Sequence, residues 1–349
     1  MVDSSLLTPE KAAQLRNLQT GLPRFPLSNR GESSQEMGFG RLDTVGVAFQ
    51  VGPDFRTTGA TASVVQLGEV GEAWRYRHKL AGGGFLALGI NGKAWAEASL
   101  PKRIDGENVE AVTVPDALEL LRGLVAEADE YCDRKVPFEH AEVVRIDAVR
   151  DFQGVHHAAE LLSGLANTPR PAVQKVKLFQ DPERCSAETL TVGPKAWKMT
   201  GYDKHVETAG AAPEGQLRTE TRLHREQLLS EHARKGGYMM GHVADITDDK
   251  VERLHRGRFE LACFDREVVG VASVAAAIRR AELTDESKRE LWCFLTMPGA
   301  SELMSKNTRT RYRRLARELG VTPSAASEEL PDMRVRLDYE SGTEVCRVA

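Results

Sequence analysis

The sequence predicts an α+β fold: a mainly antiparallel sheet with helices packed on one face, followed by a C-terminal helical module. Three observations predict it. Several segments between residues 42 and 224 alternate apolar and polar side chains with the period of two that puts a strand half in and half out of a core. Segments 115–131 and 156–165 instead carry apolar residues at helical spacing, so helices are inserted among the strands. Turns bearing glycine or proline separate the extended segments, as antiparallel connections require.

The elements follow in order. Residues 19–37 are rich in Pro, Gly, Ser and charge without periodicity, so 1–38 reads as a flexible N-terminal segment. Leu42 to Phe49 places Val45, Val47 and Phe49 on one side and reads as a half-buried strand. Phe85 to Ser99, preceded by Gly82-Gly83-Gly84 and closed by Leu100-Pro101, reads as a hairpin. Pro115 suits the first turn of a helix, which Leu118, Leu121, Leu124, Val125 and Ala128 carry to Tyr131. Val143 to Val149 is a strand and His156 to Leu165 a short helix that stops before Pro169. Val173–Phe179, Glu188–Val192, Trp197–Lys204 and Leu217–His224 are extended. From Thr247 onward the pattern turns helical. The expected division is 1–38, a sheet domain over 39–235 and a helical module over 236–349.

Composition narrows the classes. The 349 residues allow one large domain or two ordinary ones. Residues 1–15 are acidic and polar where a leader peptide needs an apolar stretch, and no apolar run approaches a membrane span, so a cytoplasmic location with no membrane partner is expected. Five cysteines, odd in number and without C-x-x-C spacing, indicate neither a disulfide framework nor a zinc site. A formal charge of −4 supplies no global attraction to nucleic acid, so any such contact must come from local basic surface.

Where helices cover one face of a sheet, the side chains of the other face are free for chemistry. Alternation assigns Arg145 and Asp147 to that face in one strand, Arg218, Glu220 and Arg222 in another, Tyr202 and Lys204 in a third, and Glu97 in a fourth. Carboxylates are hard oxygen ligands for Mg²⁺ or Mn²⁺, which polarise phosphoryl oxygens. A tyrosine hydroxyl, with an unperturbed pKa of about 10, needs a metal or cation beside it to act as a nucleophile. Spacing alone favours a plainer arrangement, in which Tyr-Asp-Lys lines a solvated strand edge and alternating Arg and Glu form cross-strand ion pairs.

A set of motifs in order adds to this. Asp43-Thr44-Val45; Glu97-Ala98-Ser99-Leu100-Pro101-Lys102 with Gly106-Glu107-Asn108-Val109; Arg145-Ile146-Asp147; Thr189-Leu190-Thr191-Val192-Gly193 with Tyr202-Asp203-Lys204; and Leu217-Arg218-Thr219-Glu220-Thr221-Arg222-Leu223 resemble the motifs of filamentous-phage gene II/X replication proteins, with related patterns in plasmid rolling-circle initiators. The resemblance spans roughly 41–225 and resumes at Met304 to Val321. It implies a relaxase-like fold, a divalent metal (Mg²⁺ or Mn²⁺), and nicking and rejoining of one origin strand through a phosphotyrosine that leaves a 3′ hydroxyl. On matching positions, it implies Tyr202 as nucleophile and Asp147, Glu220 and Glu97 as metal ligands; the strand faces themselves offer Lys204 as the cation beside Tyr202 and Arg145, Arg218 and Arg222 as DNA contacts. The implied partners are origin DNA, duplex and single-stranded, with host helicase and polymerase downstream. A conjugative or mobilisation relaxase and a non-catalytic origin-binding or repressor protein are the rival expectations. Two positions depart from the pattern: no His-hydrophobe-His occurs, His156 and His157 being adjacent, and Gly193-Pro194 stands where the family has Gly-Ser.

In the C-terminal module, Ser305 can cap a helix over 306–319, with Gly320 as its stop. Leu315 and Leu319 give it an apolar stripe, and Lys306, Arg309, Arg311, Arg313 and Arg314 make it basic. With a helix around 287–295 and a turn at Pro298-Gly299 this reads as a helix-turn-helix-like unit; a solvated basic helix packed on the main domain fits the same residues.

Overall fold

Leu42, Val45, Val47 and Phe49 carry the first strand into the middle of a sheet, where every residue from 42 to 49 is buried. The expectation of a half-buried strand is corrected here: other strands pair on both edges, and on the second face neighbouring side chains close over the strand, as at Gly46, where an added Cβ would meet Arg145, Val144 and Glu97. The computed structural model describes residues 40–50, 61–66, 72–80, 83–89, 93–106, 109–131, 137–166, 168, 170, 174–180, 187–194, 196–296, 303–319, 326–327 and 333–348. The expected flexible segment 1–38, the turn at 298–299 and the stop at 320 lie outside them.

The first half of the sheet is β1 (Arg41–Gln50), β2 (Thr61–Gln66), β3 (Glu72–Lys79), β4 (Phe85–Gly89) and β5 (Lys93–Ser99), followed by α1 (Leu100–Asp105), the short β6 (Val112–Thr113) and α2 (Val114–Asp129). The second is β7 (Glu142–Phe152), α3 (Ala158–Ala166), β8 (Lys175–Gln180), β9 (Ala187–Gly193), β10 (Trp197–Asp203), α4 (Lys204–Glu207) and β11 (Leu217–His224). Then come α5 (Arg225–Leu228), α6 (Glu231–Lys235) and α7 (Asp248–Leu261). The spatial order is β2-β3-β4-β5-β1-β7-β11-β10-β9-β8, with β6 also paired to β1 in an 11-stranded sheet. All its pairings are antiparallel. In each half the first strand lies at the centre, the chain crosses to the outer edge, and it meanders back inward. Two copies of one strand order therefore meet at the β1–β7 pair.

Helices take the apolar face. In α2, Thr113 accepts a hydrogen bond from the Asp116 backbone, Pro115 sits in the first turn, and Ala117, Leu121, Leu124, Val125 and Ala128 are buried. α3 and the segment after α7 close on β10 at Gly201, where an added Cβ would stand 2.4 Å from the Phe264 ring and 3.2 Å from Leu162. α7 lies under β7 and β11, with fully buried His255 hydrogen-bonded to Thr219. In β7 a bulge opposite Gly46 and Val47 shifts the register, so Val143 is the fully buried residue where alternation placed Val144.

The expected helical stretch 236–349 carries strands as well, and that expectation is corrected. After β12 (Val268–Gly270) come α8 (Val271–Arg280), α9 (Asp285–Thr296) and α10 (Lys306–Glu318), then β13 (Ala326–Ser327), β14 (Met333–Asp338) and β15 (Thr343–Val348). These strands form a four-stranded sheet in the order β13-β12-β14-β15. The reason is again period two: Val335 and Leu337 are buried, while Arg334 and Arg336 point the other way. The main core continues past 235 through Tyr238, Met240, Val251, Leu254 and Phe259. A smaller core of Val274, Ile278, Leu291, Phe294, Leu295 and Tyr312 joins α8, α9 and α10. The β14–β15 hairpin is held to β7, to α7 and to the residue ahead of α3 by polar contacts: Arg150 to the Tyr339 carbonyl at 2.9 Å, His255 Nδ1 with the Tyr339 hydroxyl at 3.1 Å, and His157 Nδ1 with Glu344 at 2.8 Å.

Candidate functional site

Register decides what stands side by side on the face without helices. Directly opposed residues of antiparallel strands share a face. Tyr202 on β10 opposes Arg218 on β11, and Thr200 opposes Glu220. Arg222 opposes Asp147 on β7, and Asp147 opposes Thr44 on β1, which opposes Ser99 on β5. The result is a cleft of about 340 Å³ lined by Asp43, Thr44, Ser99, Lys102, Asp147, Thr189, Tyr202, Glu207, Glu220 and Arg222. Both halves of the sheet contribute to it.

Its charges are unevenly satisfied. Asp147, 1% exposed, accepts from Arg145 Nε at 2.9 Å and from Arg222 Nε at 3.1 Å, with a further close contact to Arg145 Nη2. Glu220 accepts from Arg222 Nη2 at 3.1 Å. Burial, together with the negative charges of Asp147 and Asp43, raises the Glu220 carboxyl to about 7. Asp43 Oδ1 accepts from the Thr44 hydroxyl at 2.9 Å; its buried Oδ2 has no hydrogen-bond partner, and Arg218 Nη1 is 3.7 Å away. Tyr202 is 8% exposed, and burial, then the charge of Glu220, pushes its phenol well above the ordinary tyrosine range. Such a phenol is neutral near pH 7.

Three expected placements are corrected. Lys204 leaves the strand: Asp203 ends β10 by accepting from the Val206 backbone, which starts α4. Lys204 is fully buried, with Nζ 2.7 Å from Glu207 and 5.5 Å from the Tyr202 ring centre. Burial, and then Arg218, lower its proton affinity against the opposing pull of Glu207. It therefore has no path to a phosphate; Lys102, exposed at the cleft rim, does. Arg218 is also fully buried, its Nε and Nη2 bonded to Asp151 at 2.6 and 2.9 Å and its Nη2 also to the Val109 carbonyl at 2.7 Å, so it cannot reach DNA. Glu97 is tied to Arg145 and stands outside the cleft lining. Asp43 occupies the third acidic place that sequence reasoning gave to Glu97. Its signal was available, since Asp43 opens the first of the ordered motifs, but β1 had to be placed beside β7 before the residue could join the cluster.

The donor set suits a hard divalent cation: carboxylates from three strands face one cleft, and one buried oxygen is unsatisfied. Among the described residues no three carboxylate, histidine or cysteine side chains already stand at joint ligating positions. Arg145 and Arg222 occupy Asp147 instead.

On α10, Ser305 caps as expected, accepting from the Thr308 backbone at 3.2 Å. Lys306, Arg311, Arg313 and Arg314 are exposed and Arg309 is half-exposed. Arg311 donates to Ser287 of α9 at 2.9 Å, and Arg314 pairs with Glu318 at 3.4 Å.

The site is thus an acidic cleft with a tyrosine on the open face of an antiparallel sheet. No protein-family model and no curated protein sequence matches this chain. Among solved structures, it is similar to a rolling circle replication initiator protein from Geobacillus stearothermophilus, at 16% identity and a TM-score of 0.32, over 72% of this chain and 90% of that one. Among the described residues no helix is long and apolar enough to cross a membrane.

Proposed function

We propose that the chain initiates rolling-circle DNA replication by nicking one strand at an origin and later rejoining it, with Tyr202 as the nucleophile. The observation that carries this reading is that Tyr202, Asp147 and Glu220, on three separate strands, line one cleft with Asp43. The Tyr202 oxygen bonds to phosphorus as the bond from phosphorus to O3′ breaks. The phenolic proton is lost and O3′ gains one, so the step is a transesterification that needs no ATP and conserves the diester's energy for rejoining.

Asp147, Glu220 and Asp43 would hold Mg²⁺ or Mn²⁺, once Arg145 and Arg222 release Asp147. The ion supplies charge neutralisation at the phosphoryl oxygens. Lys102 takes the part first given to Lys204, placing positive charge at the cleft rim. Arg222 and Arg145, freed from Asp147, can hold flanking phosphates. Lys306, Arg309, Arg311, Arg313 and Arg314 of α10 serve the origin duplex through its backbone. Host helicase and polymerase would then act on the strand opened at the nick.

The test uses supercoiled plasmids carrying DNA from around the gene, with Mg²⁺ or Mn²⁺. Open circles with covalently attached protein are expected, and mass spectrometry should map the attachment to Tyr202. Tyr202→Phe should abolish the adduct while leaving DNA binding intact. An adduct that survives the substitution moves the nucleophile elsewhere, and nicking without an adduct overturns the mechanism.

A further inference from the structure

One wing of the open face carries cations and an aromatic ring that the cleft chemistry does not use. On this face β8 presents Lys175, Lys177 and Phe179; β9 presents Thr189, Thr191 and Gly193; β10 presents Lys198, Thr200 and Tyr202. Lys175, Lys177 and Lys198 are exposed, and none of the residues on this face of the three strands is acidic. Phe179 is 56% exposed, which an edge-strand phenylalanine gains nothing from in water. It lies in a straight cross-strand row, Phe179 opposite Thr189 and Thr189 opposite Tyr202. Two inter-strand spacings put the ring about 10 Å from Tyr202, the length of roughly three stacked nucleotides at about 3.4 Å each.

The other wing shows the contrast. There the aromatic surface is already covered: the Arg77 guanidinium lies 3.7 Å from the centre of the Phe85 ring, and Phe85 meets Trp95 edge-on at 6.0 Å.

We infer that the β8–β9–β10 wing is a track for single-stranded DNA leading to Tyr202, with Phe179 as a base-stacking platform and Lys175, Lys177 and Lys198 as phosphate contacts. This rests on the reading that the cleft acts on a DNA strand, and it assigns the side from which that strand is held. An unpaired strand fits better than a duplex, because only splayed bases offer a flat face to an exposed ring beside a row of cations. Gly193 beside Lys175, and Thr191 between Lys177 and Thr200, leave the surface low enough for a backbone to lie across it.

The experiment measures binding of a fluorescently labelled oligothymidine to the full chain, by anisotropy, across a salt series. Phe179→Ala is expected to weaken binding about tenfold and Phe179→Trp to retain it. Replacing Lys175, Lys177 and Lys198 together with Gln should lower the slope of log affinity against log salt by about 2, at about 0.7 per lost single-strand phosphate contact. Val176→Ala, on the opposite face of the same strand, is the control and should change neither. Equal losses from Val176→Ala and Phe179→Ala, or an unchanged salt slope in the triple variant, overturn the track. Plasmid nicking by the same proteins separates the two claims. Wild-type nicking with a neutral Phe179→Ala sinks the track alone; Phe179-dependent binding without any tyrosine adduct sinks the cleavage reading alone.

Discussion

The two halves of the central sheet share a strand order but differ in what their open faces keep for themselves. In the β1–β5 half, the described charges and rings of the open face have partners: Arg77 stacks on Phe85, and Lys93 and Glu97 reach across to β7, to Glu142 at 3.3 Å and to Arg145. In the β7–β11 half, Arg218 is sealed into the sheet by Asp151, Lys204 is buried beneath Tyr202, and Lys175, Lys177, Lys198 and Phe179 stay in solvent. Topology builds the platform twice. Side-chain choice at alternate positions pairs the described open-face residues of the first half, Arg77, Phe85, Lys93 and Glu97, and leaves the other half with a buried electrostatic frame and an exposed outer wing.

The largest expected effect tests that buried frame. Asp151→Ala leaves the fully buried Arg218 without its bidentate partner and should destabilise the fold by about 3–5 kcal/mol in urea unfolding. Glu97→Ala in the other half leaves Arg145 still bound to Asp147 and should cost only on the order of 1 kcal/mol. Similar losses from the two would erase the contrast between the halves.

Next in size is a pH effect seated under β11. Burial pushes His255 down to about 4, against about 6.5 for a free histidine. As pH falls from 6.5 the unfolded chain takes up this proton before the folded one. The stability is therefore complete above pH 6.5 and lost as pH falls through 4, a loss on the order of 3 kcal/mol. Glu220, held up at about 7, has the opposite sign: its contribution is full below the ordinary carboxylate range and fades as pH rises through 7. The two oppose each other in wild-type protein. Glu220→Gln, measured in metal-free buffer, should therefore show the steeper decline in stability from pH 7 to pH 4. An unchanged profile would mean that Glu220 is not held above the ordinary carboxylate range and does not offset His255.

Packing gives the smaller effects. Gly201→Ala places a methyl 2.4 Å from the Phe264 ring and should destabilise by about 1–3 kcal/mol, read as a lowered melting temperature. Gly123 of α2, over the other half, has open space where its Cβ would be. Gly123→Ala should stabilise by about 0.5–1 kcal/mol, because alanine gains helix propensity without a clash. Were both substitutions to destabilise, the tight closure of α3 on β10 would not be the cause.

Much of this was legible in local sequence. Leu217 to Leu223 and Trp197 to Tyr202 alternate cleanly, and period two assigned Glu220, Arg222 and Tyr202 to the open face, where they lie. Thr113, Pro115 and the apolar run to Ala128 located α2 from capping and spacing alone. Of the C-terminal strands, β12 with three residues and β13 with two are too short to show a period, whereas Val335 and Leu337 in the six-residue β14 do alternate with Arg334 and Arg336.

What the sequence determined by itself is the facing of side chains along the regular stretches of each strand, since strand geometry fixes that within one segment; the bulge in β7 lies beyond its reach. What only the tertiary structure decided is neighbourhood and depth. Asp43 joins Asp147 because β1 pairs with β7, and Arg218 is buried because β11 lies between β7 and β10, inside the sheet. Lys204 is buried because Asp203 ends its strand one residue early. The order of strands is set by contacts between residues far apart in the chain, which no local period encodes.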